Sequence, residues 1–377
     1  MTINDELIID IKHLLGNRWS VKREDLDIYS SQIRRAAGDI SKLRESGKGP
    51  DGSQVLFPHL PYLLKEEVLI SKEERDSLLR LREEAKGYDA VISIGIGGSY
   101  LGNQVLFDLF CGPYWNQLTK EERNGYPQVY FAGQNVDPVS LIELSSCISR
   151  KSERLQGRRM KVLLLVISKS GTTIEPVTAV RGLKKLLAPV CDIQIMAITD
   201  KEKGRIRPLA EKEHFLCFTV PDGIGGRFSV FSQVGLVFAS LVGIPIEEFL
   251  DGAKMVEEAC RSEDWQENPA LLLAALKFIA MKEYGITAEV VRLCPMVTSS
   301  APSAGGMPSF LESPWERNMT WTGMWCITAG LRWLLWEPRI CTPSPRSTSR
   351  ERKTSWCSSF PWNSCRRTCR YSVMKKT

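Results

Sequence analysis

The sequence predicts an α/β protein in which a parallel β-sheet carries helices on both faces. Three observations carry this expectation. Five short apolar runs recur between residues 90 and 220, stretches with helical spacing separate most of them, and two runs end directly in glycine-rich or hydroxyl-rich turns. The chain has 377 residues, enough for two or three domains at roughly 150 residues each. A hydrophobic content of 43% with 25% charged residues excludes general disorder.

Residues 1–60 read as a polar, helical N-terminal segment. Leu7, Ile8, Ile11, Leu14 and Leu15 form an amphipathic start, and a glycine-rich loop, SGKGPDGS, follows later. Residues 61–245 read as the first α/β domain. A charged helix through Arg80–Lys86 leads into AVISI (90–94), followed by QVYFAG (128–133), KVLLLVIS (161–168), IQIMAIT (193–199) and FLCFTV (215–220). Helical spacing occupies about 139–150, 174–187 and 201–212. The uncharged run Phe228 to Ile246 is long enough to raise the question of a membrane span. Its serines, Gln233 and Pro245 favour a buried core helix instead. Residues 246–291, with two amphipathic helices at about 246–263 and 267–284, read as a segment leading into a second domain.

After residue 291 the pattern stops. Residues 294–377 hold 9 Arg and 3 Lys against 4 Glu and no Asp, a net charge of +8 within a chain total of +6. Six of the 11 Cys, seven of the 10 Trp and eight of the 20 Pro also fall there, without helical or strand periodicity. Disordered tails are ordinarily poor in Trp. The earlier cysteines, Cys111, Cys147, Cys191, Cys217 and Cys260, are scattered as in a reducing cytosol, and the start MTINDELIID carries no secretory pattern.

Three segments have the residue types for ligand chemistry at the C-terminal ends of strands. Gly95-Ile-Gly-Gly-Ser-Tyr-Leu-Gly102 follows AVISI; its glycines allow close backbone approach, and the helix behind it offers N–H donors to an anion. Tyr100 stands where a dinucleotide fingerprint needs its third glycine, and no Walker lysine is present. Taken alone, this segment is equally a tight strand-to-helix turn. Ser168-Lys-Ser-Gly-Thr-Thr173 offers four hydroxyls and a lysine at a helix start, which suits a phosphate dianion; a plain helix cap would need only one hydroxyl. Gly225-Gly-Arg-Phe-Ser229 places Arg227 behind paired glycines, where it can reach an oxyanion or phosphate, or serve as a surface loop arginine.

In this order and spacing, VISIGIGGSYLG, VISKSGTTIEPV and GIGGRFSVFSQVGL resemble the phosphoglucose isomerase family over roughly residues 60–290. The resemblance implies a sugar-isomerase (SIS) type three-layer α/β/α sandwich followed by a second, here incomplete, SIS domain. It implies cytoplasmic interconversion of glucose 6-phosphate and fructose 6-phosphate through an enediol, with no cofactor or metal, in a homodimer. By matching positions, Ser99, Ser168, Ser170, Thr172 and Thr173 would bind the sugar phosphate with Lys169 nearby. Gly97 and Gly98 would line the site, Arg227 would stabilise the enediolate, and Glu175 would orient the loop. No nucleic-acid or membrane partner is implied. The family's proton-transfer base is the Glu of an ESxGK-like motif, and a ring-opening His follows in a GATDxHS-like motif, with a Lys near the C-terminus. None of these motifs is legible in this chain, whose three histidines are His13, His59 and His214.

The genetic code accounts for the gap. Taking the third base of each codon with the first two of the next, Trp315–Glu316 and Trp336–Glu337 must give Gly. Met319–Thr320 and Trp321–Thr322 must give Asp, and Met324–Trp325 must give Val. With permitted bases chosen to fit elsewhere, the tail reads QLFGESLGKKHD and later GATDMHS. Residues 292–377 are therefore expected to be out of frame, with no native fold, and the chain impaired in catalysis. Glu312 lies near the place of the lost base and is the weakest candidate for it. The competing expectation takes the tail at face value, as the basic arm of a non-catalytic SIS-domain sugar-phosphate sensor. Its interleaved Trp and Arg could hold nucleic acid, but it has no recognised binding-fold signature.

Overall fold

A computed structural model of the chain describes residues 2–3, 7–8, 11, 14–16, 20–66, 69–202 and 204–285. Glu312, His13 and the whole of 286–377 lie outside the described residues.

The chain opens with a two-residue antiparallel ladder between β1 (Thr2–Ile3) and β2 (Leu7–Ile8). Leu7 and Ile8 thus correct the expected amphipathic helix. Thr2, Ile3 and Ile8 are β-branched, and such side chains are at ease in extended backbone. The helical expectation holds further on, in α1 (Arg23–Ile28) and α2 (Ser30–Ser46), the latter ended by Gly47 in the left-handed conformation. Ser71 caps α3 (Lys72–Glu84) by accepting from the Glu74 N–H.

Strands and helices then alternate. β3 (Ala90–Ile94), α4 (Gly98–Phe110), β4 (Gln128–Ala132), α5 (Pro138–Glu153), β5 (Met160–Ile167) and α6 (Ile174–Leu187) come first. β6 (Cys191–Thr199), α7 (Ile206–Glu213) and β7 (Cys217–Thr219) complete the series. A 3-10 turn over Gly226–Phe231 leads to α8 (Gln233–Leu241), α9 (Ile246–Ala259) and α10 (Pro269–Tyr284). Asp137 and Asn268 cap α5 and α10 through their side chains. α7 starts later than its spacing suggested, because Gly204 takes a φ of +111°, outside helical space.

The five strands β3 to β7 form one parallel sheet in the order β4-β3-β5-β6-β7. Ile92 sits between Tyr130 on β4 and Leu164 on β5. Period-two alternation sends Ala90, Ile92, Ile94, Val162 and Leu164 to one face, where Leu141 and Ile148 of α5 and Ala179, Leu183 and Leu187 of α6 cover them. Val91, Leu163, Leu165, Ile167 and Ile198 face the other way, onto α3, α4 and α8. Strands covered on both faces read as continuous apolar runs, which explains KVLLLVIS. A third core joins Leu26 of α1 and Ile33 and Ala37 of α2 to Leu271, Ala275 and Ile279 of α10.

All nine residues of α8 are buried, so the uncharged run is a core helix, as expected. Among the described residues no helix is long and apolar enough to cross a membrane.

Candidate functional site

The chain leaves β3 toward β4 on one side, whereas β5 lies on the other side of β3. The C-terminal ends of β3 and β5 therefore flank a switch point, the place where an open parallel sheet leaves a crevice. The loop after β3 is Gly95–Gly97, leading into α4, and the loop after β5 is Ser168–Thr173, leading into α6. Two of the three motifs thus come together on topological grounds alone.

The hydroxyls of the second loop converge on one another. Ser168 Oγ lies 3.3 Å from Thr173 Oγ1, and Ser170 Oγ lies 3.5 Å from the same atom. Thr172 Oγ1 donates to Ser170 Oγ at 3.0 Å, and the Gly171 N–H donates to Ser168 Oγ at 3.2 Å. Thr173 is the N-cap of α6, but its side chain makes no cap hydrogen bond. The first N–H groups of α6 and four hydroxyls therefore face a common region, with the helix dipole adding partial positive charge. Ser168 is buried, while Lys169, Ser170 and Thr172 are exposed. Glu175 sits in the first turn of α6, where the dipole favours a carboxylate.

The third motif is held against the first by glycines. A Cβ on Gly98 would collide with the Gly226 carbonyl oxygen and lie 2.5 Å from its carbon, so only glycine permits the approach. Ser229 Oγ clamps it, donating to Gly226 O at 2.8 Å and lying 3.2 Å from Gly98 O. Arg227 follows this contact directly and is exposed. Lys169 Nζ meets Asp222 Oδ1 at 3.4 Å, which ties the hydroxyl loop to the segment before Arg227. Gly97, Ser168, Lys169, Ser170, Thr172 and Thr173 lie on loops that follow β3 and β5, Gly98 and Ser99 begin α4, and Arg227 lies in the 3-10 turn over Gly226–Phe231.

Behind Ser99 runs a polar ladder along α4. The Tyr100 hydroxyl donates to Gln104 Oε1 at 3.2 Å, and Gln104 Nε2 donates to Asp108 Oδ1 at 2.9 Å. Burial pushes the Tyr100 phenol up, with the Asp108 charge adding to it, and burial likewise pushes the Asp108 carboxyl up. The described histidines stand on other elements. His59 Nδ1 pairs with Glu66 at 3.4 Å and its Nε2 meets Arg44 O at 3.0 Å, while His214 caps the far end of α7. Among the described residues no group of three or more His, Cys, Asp or Glu is placed to hold a metal ion.

Asp222 is not among the residues the sequence points to, and Ser229 and Gly226 enter there only as members of a motif. The signal for the last two was the GGRFS string itself, whose second glycine and serine make the contact with α4. For Asp222 there was no local signal, because its partner lies 53 residues earlier in the chain.

Residues 82–294 match the model of the family described as phosphoglucose isomerase. A glucose-6-phosphate isomerase of Pediococcus pentosaceus is 36% identical over 232 residues, covering 59% of this chain and 49% of that protein. A glucose-6-phosphate isomerase of Streptococcus thermophilus is 36% identical over 277 residues, covering 72% of this chain and 57% of that one. The crystal structure of a glucose-6-phosphate isomerase from Chlamydia trachomatis superposes with a TM-score of 0.54 at 23% identity, over 71% of this chain and 54% of that one. This last likeness concerns the fold. The chain spans about half the length of the curated relatives it matches.

Proposed function

The chain belongs to the phosphoglucose isomerase family, and from that footing we propose that it grips the phosphate of an aldose or ketose 6-phosphate, glucose 6-phosphate and fructose 6-phosphate first. The observation that carries this is the convergence of Ser168, Ser170, Thr172 and Thr173 at the head of α6, beside the Gly97–Ser99 turn and the Gly226–Arg227 contact. A phosphate dianion suits hydroxyl donors, helix N–H groups and Lys169 together. Arg227, next to the Gly226–Gly98 contact, suits the charge that develops on the substrate oxygens as an enediolate forms.

Aldose–ketose isomerisation also needs a base that moves a proton between adjacent carbons and an acid–base group that opens the ring. On this reading neither is assigned to the described residues of the site. Both correspond to motifs recovered only from the shifted reading of residues 292–377. We therefore read this polypeptide as a phosphate-gripping first domain with an out-of-frame tail, impaired in turnover. The in-frame protein would be an ordinary cytoplasmic isomerase acting as a dimer.

Two measurements test this. Glucose 6-phosphate should bind the full chain, and Ser168→Ala should weaken that binding. Isomerisation in a coupled assay should fall at least about 10²-fold below that of a full-length relative. Turnover within about tenfold of such a relative would overturn the impairment. A fresh nucleotide read across codons 285–300 should show a one-base gain or a two-base loss, restoring ESLGK; an unchanged read refutes a sequencing slip as the origin of the tail.

A further inference from the structure

We propose that Thr199 and Gly204 are positioning residues for phosphate recognition, holding the peptides of residues 169–171 as a backbone nest whose N–H groups join the hydroxyls in binding a phosphate dianion. The inference rests on the reading of the Ser168–Thr173 loop given above.

Thr199 is the last residue of β6, next to the C-terminal end of β5, and its side chain is fully buried. Its backbone is occupied by the sheet: Thr199 pairs with Thr219, and the Val220 N–H donates to its carbonyl at 2.8 Å. The hydroxyl is turned instead to the neighbouring loop, where Thr199 Oγ1 donates to Lys169 O at 3.3 Å. The Asp200 N–H donates to the same carbonyl at 3.2 Å. Lys169 O is thus drawn toward β6 by two donors.

In a trans peptide the carbonyl and the following N–H point in opposite directions. With Lys169 O turned to β6, the Ser170 N–H is turned away from it. The next peptide behaves alike. A Cβ on Gly204 would lie 2.5 Å from Ser170 O and 3.0 Å from its carbon, so the Ser170 carbonyl rests directly on Gly204. The Gly171 N–H correspondingly reaches Ser168 Oγ, on the hydroxyl side. Gly171 itself has a φ of +64°, and a Cβ there would meet the Ile206 and Arg205 nitrogens at 3.0 and 3.1 Å. Two successive N–H groups presented to one side, with a left-handed residue closing the turn, form an anion-binding concavity. Thr199 and Gly204 fix the two carbonyls from below, while Ser168 Oγ holds the Gly171 N–H from within the loop.

The test uses the full chain with Thr199→Val, Thr199→Ser and Gly204→Ala, titrated with inorganic phosphate and with glucose 6-phosphate, and melted in parallel. Valine keeps the shape and removes the hydroxyl. We expect Thr199→Val to weaken phosphate affinity about three- to tenfold, Thr199→Ser to restore it, and Gly204→Ala to cost at least about tenfold. Thr199→Val that melts lower but binds phosphate like the wild type would show a merely structural role and overturn the proposal. Should Gly204→Ala fail to fold, the Thr199 pair decides. A wild type that takes up neither ligand overturns the reading of the loop itself, and the positioning role with it.

Discussion

Gly98→Ala puts one methyl group into the contact that joins two of the three motif loops. The added Cβ would lie 2.5 Å from the Gly226 carbonyl carbon and 2.8 Å from its Cα, where ordinary contact begins near 3.4 Å. Both partners are backbone, so no rotamer can relieve the clash, and the start of α4 must part from Gly226 by about 1 Å. The Ser229 hydroxyl, which bridges Gly98 O and Gly226 O, loses its geometry in the same movement. Overpacking of this kind costs about 1–3 kcal/mol. In a domain of this size each kcal/mol lowers the melting midpoint by about 2–4 °C, so a fall of about 2–12 °C is expected. The same parting moves the start of α4, which carries Ser99, away from the turn that carries Arg227, and glucose 6-phosphate affinity should fall at least about tenfold, as loss of one charge-assisted contact would cause. Thermal melting and a sugar-phosphate titration, run well below both midpoints, measure the two effects separately. A variant that melts and binds like the wild type would mean that α4 and Gly226 do not touch. A lowered midpoint with unchanged affinity would mean that the contact is structural and does not set the site.

Three further outcomes follow from single residues elsewhere. Gly252 lies exposed within α9, and a Cβ there meets nothing within 4 Å, so Gly252→Ala should stabilise by about 0.4–1 kcal/mol; a lower melting midpoint would contradict the placement. Burial alone would raise the Asp89 carboxyl, but the bidentate Arg158 guanidinium, the Lys161 N–H and Lys120 outweigh it and hold the group below the ordinary 3.8. A carboxylate depressed on folding binds its proton more readily unfolded. Its stabilisation is full above the ordinary value and fades as pH falls from about 4 through the lower folded value. Melting curves between pH 2 and 6 should therefore show a smaller acid-induced loss in Asp89→Asn than in the wild type, on a lower plateau near neutrality, and parallel curves would refute the assignment. The Lys169–Asp222 pair at 3.4 Å is largely solvated and adds little stability. Asp222→Asn should leave the midpoint unchanged while tightening inorganic phosphate binding about two- to fivefold at low salt, by releasing Lys169 from its neutralising partner. Weaker binding in that variant would instead make Asp222 the residue that aims Lys169.

What the sequence made legible follows how locally each feature is encoded. β5 could be read from KVLLLVIS because a strand covered on both faces needs an unbroken apolar run. The helix of α6 could be bounded because Thr173 and the leucines at its end mark both limits. Only Cys217–Thr219 of FLCFTV pairs, because β7 is an edge strand beside the last three residues of β6. α7 starts at Ile206, inside an otherwise helical string, because Gly204 before it has a positive φ. The hydroxyl loop declared itself through its side chains. Its supports did not, since Thr199 acts through a backbone carbonyl on the adjacent strand and Gly204 acts by having no side chain at all. The available signal was position alone, immediately past the C-terminal end of a strand at the ligand edge of the sheet. The same distinction bears on function. A phosphate grip is built from turns next to parallel strands, so a single sheet can assemble it from nearby residues. Proton transfer, on the proposed reading, draws on groups farther along the chain, in residues 292–377, whose sequence has no helical or strand periodicity. On the function proposed above, binding without turnover is what such a chain is expected to show. A mutation in the Thr199–Gly204 support should therefore be visible in phosphate affinity even where no catalysis can be measured.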